Sequence, residues 1–239
     1  MKIHITKLLP VLAICFAFAA CGDEEVTDSK SNPVVLMGLK GKSSVEVQYG
    51  TTYKDAGCSA TFMGKDYSDN IVVEGLDDID TNDPGTYSIT YACKAPDGFV
   101  YSAERTVVVC NPQVKYSAAG TFSTQAGTKR VAADGTEKTF TRSLVTVTKV
   151  ASGLFSVNDL LGGFYAAMEA AGTPVDNPVT ISALLLMEKD GTFKPYSVKA
   201  NRKPATLDAF TDAKYNVDKG EFTWTITYKG DTYNIVMKK

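Results

Sequence analysis

From Val34 onward the apolar side chains fall into short alternating runs broken by Gly, Asp, Asn and Pro, a period-two rhythm that limits the chain to antiparallel β structure. The pattern is sharpest near the C-terminus. There Phe222, Trp224, Ile226 and Tyr228 alternate with Thr223, Thr225 and Thr227, and Tyr233, Ile235 and Met237 repeat it across the Lys229–Thr232 turn. Successive strand residues point to opposite faces, so such a segment presents one wholly apolar face that must be covered. Trp224, the only tryptophan, therefore reads as core rather than as a ligand platform. No segment before residue 158 has a helical period. The exception after it, Asn158–Gly172, reads as a loop with one or two helical turns ending at Gly172.

Asn111-Pro112 follows the apolar run Arg105–Cys110, and a proline stops a ladder by removing a donor, so the chain divides there into 34–110 and 113–239. In the first part, strands are expected near 34–37, 44–49, 57–63, 70–74, 86–93 and 100–109. Asp83-Pro84-Gly85-Thr86-Tyr87 has the spacing of a tyrosine corner, with Tyr87, Ile89, Tyr91 and Cys93 on one face. This predicts an immunoglobulin-like sandwich. The second part has candidate strands near 114–124, 138–150, 153–157, 179–188, 192–199, 213–217, 221–228 and 231–237. Hairpin turns fall at Lys189–Thr192, Asp218–Glu221 and Lys229–Thr232. The expected fold class is all-β: an N-terminal Ig-like β-sandwich followed by an antiparallel β-meander or barrel-like domain.

The N-terminus is built differently. Lys2 and Lys7 precede an apolar run from Leu8 to Ala20, the length of a signal-peptide core and too short for a membrane span. Cys21 closes that run and Asp23-Glu24-Glu25 opens an acidic, polar stretch through Pro33 that reads as a tether. Removal of residues 1–20 takes away two lysines and no acid, leaving 23 basic against 27 acidic residues. That balance, without a dense Lys/Arg run, argues against nucleic acid. The one histidine, His4, lies in the segment expected to be removed, which leaves no imidazole for general-base or zinc chemistry. No CxxC pair occurs and no cofactor is expected.

Beyond Cys15 and Cys21, three cysteines remain, so at most one bridge is expected. Cys58 and Cys93 both face the sandwich core, but on strands that place them at opposite ends, roughly 20 Å apart at 3.3 Å per residue. Cys58–Cys110 is the favoured pair, with no disulfide as the alternative.

Phe18-Ala19-Ala20-Cys21 resembles the lipobox of bacterial lipoproteins, which implies cleavage before Cys21 and lipid on it; Asp23, Glu24 and Glu25 resemble the surface-export signal of lipoproteins in the Bacteroidota. Val35-x-Met37, Tyr53–Gly57, Pro84–Tyr91, Asp97-Gly98 and Arg105–Val109 are similar to the bacterial Ig-like domain of unknown function in Bacteroidota surface proteins. Gly153–Tyr165, with Tyr116-x-x-x-Gly120 and Thr139–Val150, is similar to the C-terminal region of Bacteroides-type surface lipoproteins. That resemblance implies an outer-membrane lipid anchor facing the exterior. It also implies an association with SusC/SusD-type transporters, a TonB-dependent barrel with a lipoprotein lid.

Phe164 and Tyr165, after Gly162-Gly163, are the ligand-contact candidates, because aromatic pairs on a loop can stack on sugars or peptide side chains. The competing reading is a plug over an open barrel end. Asp77, Asp78, Asp80 and Asp83 form an acidic loop, but an EF-hand count places Asp83 where glycine is needed and Ile89 where glutamate is needed, so a solvated turn is expected. Glu169 and Asp176 are the one conceivable carboxylate pair for glycoside chemistry. The expected function is a non-catalytic surface lipoprotein that binds a glycan or peptide for an outer-membrane uptake system. The alternatives are an interaction module docked on the transporter and a secreted glycoside hydrolase.

Overall fold

The computed structural model describes residues 34–96 and 98–239; Cys21, Asp23, Glu24 and Glu25, with the expected signal and tether, lie outside the described residues. In the first domain the strands are β1 (Val35–Leu39), β2 (Ser44–Gln48), β3 (Cys58–Phe62), β4 (Lys65–Asp66), β5 (Ile71–Glu74), β6 (Gly85–Lys94) and β7 (Val100–Cys110). They form two sheets, β1-β3-β4 and β2-β7-β6-β5, with β2 parallel to β7 and every other pair antiparallel. The Tyr87 hydroxyl lies 3.0 and 2.8 Å from the carbonyl oxygens of Asp80 and Asp83, the expected tyrosine corner. Val47, Cys58, Ile89, Tyr91 and Val107 fill the space between the sheets.

The same pleat corrects the disulfide. Cys58, Cys93 and Cys110 are all free and buried. Val107 packs in the sandwich, so Cys110, three residues on, points to the opposite face of β7. There it joins Val108, Ala151, Leu154 and Leu186 outside the sandwich. Cys58 and Cys110 are thus separated by the sheet itself, and the expected bridge is not formed. Burial, and then the Cys58 thiol, raise the pKa of the Cys93 thiol above its ordinary value.

The second domain contains β8 (Gly120–Thr124), β9 (Lys129–Val131), β10 (Glu137–Thr139), β11 (Leu144–Ala151), β12 (Leu154–Val157), helix α1 (Phe164–Ala170), β13 (Ile181–Met187), β14 (Phe193–Ala200), β15 (Ala209–Asn216), β16 (Glu221–Tyr228) and β17 (Asp231–Lys238). β17 pairs with β8 near its C-terminal end and with β9 near its start, so β8 and β9 act as one strand bent at Gln125–Thr128. From there β11, β12, β13 and β14 follow as neighbours on one side, and β16 and β15 follow β17 on the other. The meander curls toward a barrel that does not close. Between β14 and β15 only Thr192 and Lys214 bridge, and Tyr215 N donates to Gly191 O at 2.8 Å.

Pro195 explains the open seam. Glu188 N donates to Thr192 O at 2.8 Å, and in an antiparallel ladder hydrogen-bonded and non-bonded pairs alternate, so the backbone of Pro195, opposite Leu185, faces β15. A proline there has no N–H to offer. Across the gap a register shift between Thr211 and Lys214 places Asp212 at φ 54°, so this edge cannot continue the ladder either. Side chains fill the interior, with Phe122, Phe155, Phe222 and Trp224 all but inaccessible; Trp224 Nε1 donates to Leu160 O at 2.8 Å.

Residues 34–239 form one compact unit. The Asn111-Pro112 junction is bolted rather than loose: Asn111 N donates to Ser152 O (3.0 Å), Asn111 Nδ2 to Met187 O (3.0 Å) and Glu188 Oε2 (2.9 Å), and Ser152 N to Glu46 Oε1 (2.9 Å). The hydroxyls of Tyr49 and Tyr196 meet at 3.1 Å beside the apolar cluster around Cys110 and Leu154.

Candidate functional site

The loop after β12 is shaped by one carboxylate that the sequence reading did not single out. Asp159 is buried, and its oxygens accept from the backbone N–H groups of Leu161 (3.0 Å), Ile181 (3.1 Å) and Gly163 (3.1 Å). Burial pushes its carboxyl up to about 6, against the pull of those three donors. The turn that follows needs glycine for space as well as for φ. Gly163 has φ 72°, and a Cβ there would lie 2.1 Å from Ser143 Oγ, which itself donates to Gly163 O at 2.8 Å. α1 then starts at Phe164 and closes through Gly172, whose N–H reaches Glu169 O at 2.9 Å while Thr173 N reaches Met168 O at 2.9 Å.

Phe164 and Tyr165 part company here. Phe164 is 6% exposed and meets Phe140, Tyr165 and Tyr233 edge-on at centroid distances of 5.2, 5.2 and 5.6 Å, so its ring stoppers the barrel end. Tyr165 is half-buried and, with Phe164, lines a cavity of about 450 Å³ between α1, its following loop and the β9–β10 hairpin. The remaining walls include Met168, Val175, Arg130, Lys138, Glu137 and Asp176. That volume lies in the range of small-ligand sites. Asp176 lines this cavity, whereas Glu169 sits on the exposed face of α1, so the imagined carboxylate pair is not assembled around it.

Arg130 is held firmly. Its Nε and Nη2 both donate to Asp231 Oδ2, at 2.9 and 2.7 Å, and its Cζ stands 5.5 Å from the centroid of Phe164. Glu137 is committed to Lys129 at 2.7 Å. Tyr233, wholly buried behind Phe164, has a hydroxyl with no hydrogen-bond partner among the described residues; the Tyr165 hydroxyl is near enough to act on it without reaching bonding geometry. In the acidic loop, Asp80 Oδ1 accepts from Asn82 N at 2.8 Å, and the carbonyls of Asp80 and Asp83 serve the tyrosine corner. Among the described residues no group of three potential metal-ligating side chains occurs.

Residues 111–239 match the model of a family defined by a C-terminal domain of this kind, and that match covers more than half of the chain. The chain belongs to that family. Residues 37–109 match the Ig-like domain of bacterial surface proteins, which points to the cell surface. Among solved structures, a lipoprotein from Bacteroides thetaiotaomicron is similar over 86% of this chain and 100% of its own, at 24% identity and a TM-score of 0.45. The CBM51-2 and INT domains of ZmpB from Clostridium perfringens, determined with GlcNAc, align over 86% of this chain but 44% of theirs, at 12% identity and a TM-score of 0.27. No curated protein matches.

Proposed function

We propose that this is a non-catalytic lipoprotein of the outer membrane, anchored through Cys21 and facing the exterior, that holds a glycan or peptide ligand for an uptake system of the SusC/SusD type. The observation that carries the ligand-binding part is the cavity of about 450 Å³ at the stoppered barrel end, where the half-buried Tyr165 stands beside fixed charged groups. Lipid on Cys21 provides stable attachment, since multiple acyl chains hold where one is marginal.

Titration calorimetry of the purified protein against glycan and peptide libraries tests the binding claim. A ligand whose affinity drops on Tyr165→Ala supports it; silence across both libraries rejects it. A Cys21→Ala variant should leave the membrane fraction, and its retention there would reject the anchor. The second reading, a protein-interaction module on the transporter, draws on the burial of Phe164 and the bolted domain junction, both of which suit a rigid spacer. Co-purification with a transporter from detergent-solubilised membranes, without soluble-ligand binding, favours it.

A further inference from the structure

The β9–β10 hairpin sets a like-charge pair at the mouth of this cavity. Lys138 lies directly opposite Arg130 across the β10–β9 ladder, and Arg130 lies directly opposite Tyr233 across the β9–β17 ladder. Directly opposed residues point to the same face, so Lys138, Arg130 and Tyr233 form one row from the exposed rim to the buried interior. Two cations facing each other across a ladder repel; the exposed Asp134 acts on Arg130 only through charge, and the carboxylate bonded to it is Asp231. It is spent on Arg130 Nε and Nη2 and, through its other oxygen, on Ala133 N at 3.2 Å. Among the described residues Arg130 Nη1 and Lys138 Nζ make no hydrogen bond, and the third member of the row, Tyr233, ends in the unpartnered hydroxyl.

We propose that this row is a receptor for a carboxylate, and that the ligand of the cavity carries one beside an uncharged body resting on Tyr165, Met168 and Val175. The guanidinium is held on one side by Asp231 and on its face by Phe164, so Nη1 is aimed rather than free to wander. One such N–H edge plus one ammonium matches a singly charged planar anion. Asp176 on the cavity wall is available to a hydroxyl or amine elsewhere on the ligand. This inference rests on the ligand-binding reading above and sharpens it to a chemical class.

The test is calorimetry on the purified full chain with two matched pairs of probes: glucuronate against glucose, and N-acetyl-phenylalanine against its amide. A sulfate arm is added, and everything is repeated in Lys138→Met, an exposed position whose change leaves the fold intact. The expected result is about tenfold tighter binding of the acid in at least one pair, reduced about tenfold by Lys138→Met. The preferred pair tells whether a uronic acid or a peptide terminus is the source. Equal binding of acid and neutral partner overturns the carboxylate receptor while leaving the ligand site standing. Sulfate binding as tightly as either acid makes the row a general anion site and overturns the assignment too. Failure of all probes, with a neutral library ligand bound, overturns only this inference, whereas failure of both probes and libraries overturns the parent reading as well.

Discussion

The two domains treat an arginine-containing cluster in opposite ways. In the sandwich, Arg105 is 1% exposed, and all of its donors are engaged. Nε reaches Lys42 O at 3.0 Å, Nη2 reaches Lys40 O at 2.6 Å and Gly57 O at 3.2 Å, and Nη1 reaches the Asp55 carboxylate and Tyr91 Oη. Asp55 in turn accepts from Tyr53, Tyr91 and Gly57 N; these bonds and Arg105 outweigh its burial and hold its carboxyl low. At the barrel end, Arg130 keeps Nη1 idle, Lys138 lies opposite it on β10, and among the described residues a buried hydroxyl nearby is unpaired. A satisfied cluster holds a fold together; an unsatisfied one is where a ligand gains binding energy.

The largest effect should come from breaking the satisfied cluster. Asp55→Ala strands the Arg105 charge and is expected to cost about 3–5 kcal/mol in urea unfolding; a loss under about 1 kcal/mol would erase the contrast between the domains. Leu154→Ala, in the cluster that joins them, should cost about 2–5 kcal/mol and split unfolding into two transitions, read by calorimetric scanning. A single unchanged transition would mean that the junction does not couple the domains.

Asp159 provides the pH test. Its folded value, about 6, lies above its ordinary 3.8, so the folded state binds the proton more tightly than the unfolded one. Its contribution is present below about pH 4 and is lost as pH rises through about 6, amounting to about 3 kcal/mol. Asp159→Asn should remove that slope, measured as urea midpoints between pH 4 and 7. Asp55 works in the opposite sense, its contribution being lost as pH falls through its lowered value. Smallest of all, Lys138→Glu should raise stability by roughly 0.2–0.5 kcal/mol at low salt by relieving the pair with Arg130, the gain fading as salt screens it. A destabilised variant would show that the two cations do not repel.

The strands of the sandwich and most of the meander were legible because alternation is local. Phe222 through Tyr228 announces a half-buried strand whatever surrounds it. β9 was not legible, and β10 was run together with β11 in one candidate strand near 138–150: Lys129-Arg130-Val131 and Glu137-Lys138-Thr139 are three residues each and mostly charged, too short to show alternation. With them went the basic wall of the cavity, Arg130 and Lys138. The aromatic half of that cavity was found because Gly162-Gly163 and Phe164-Tyr165 sit side by side in the chain. Arg105 gave no local sign, since its partners lie between 14 and 65 residues away.

The sequence alone determined the class of fold and most of its strands, because each depends on periodicity or spacing within a short window. Tertiary structure decided that Cys110 faces the neighbouring domain and not Cys58, because a pleat sorts residues only once the sheets are placed. It decided that the barrel stays open at Pro195, because a missing donor matters only when another strand comes to claim it. And it decided which arginine is spoken for: Arg105 and Arg130 read alike in sequence, but only assembled ladders show that one has every donor occupied while the other waits beside Lys138.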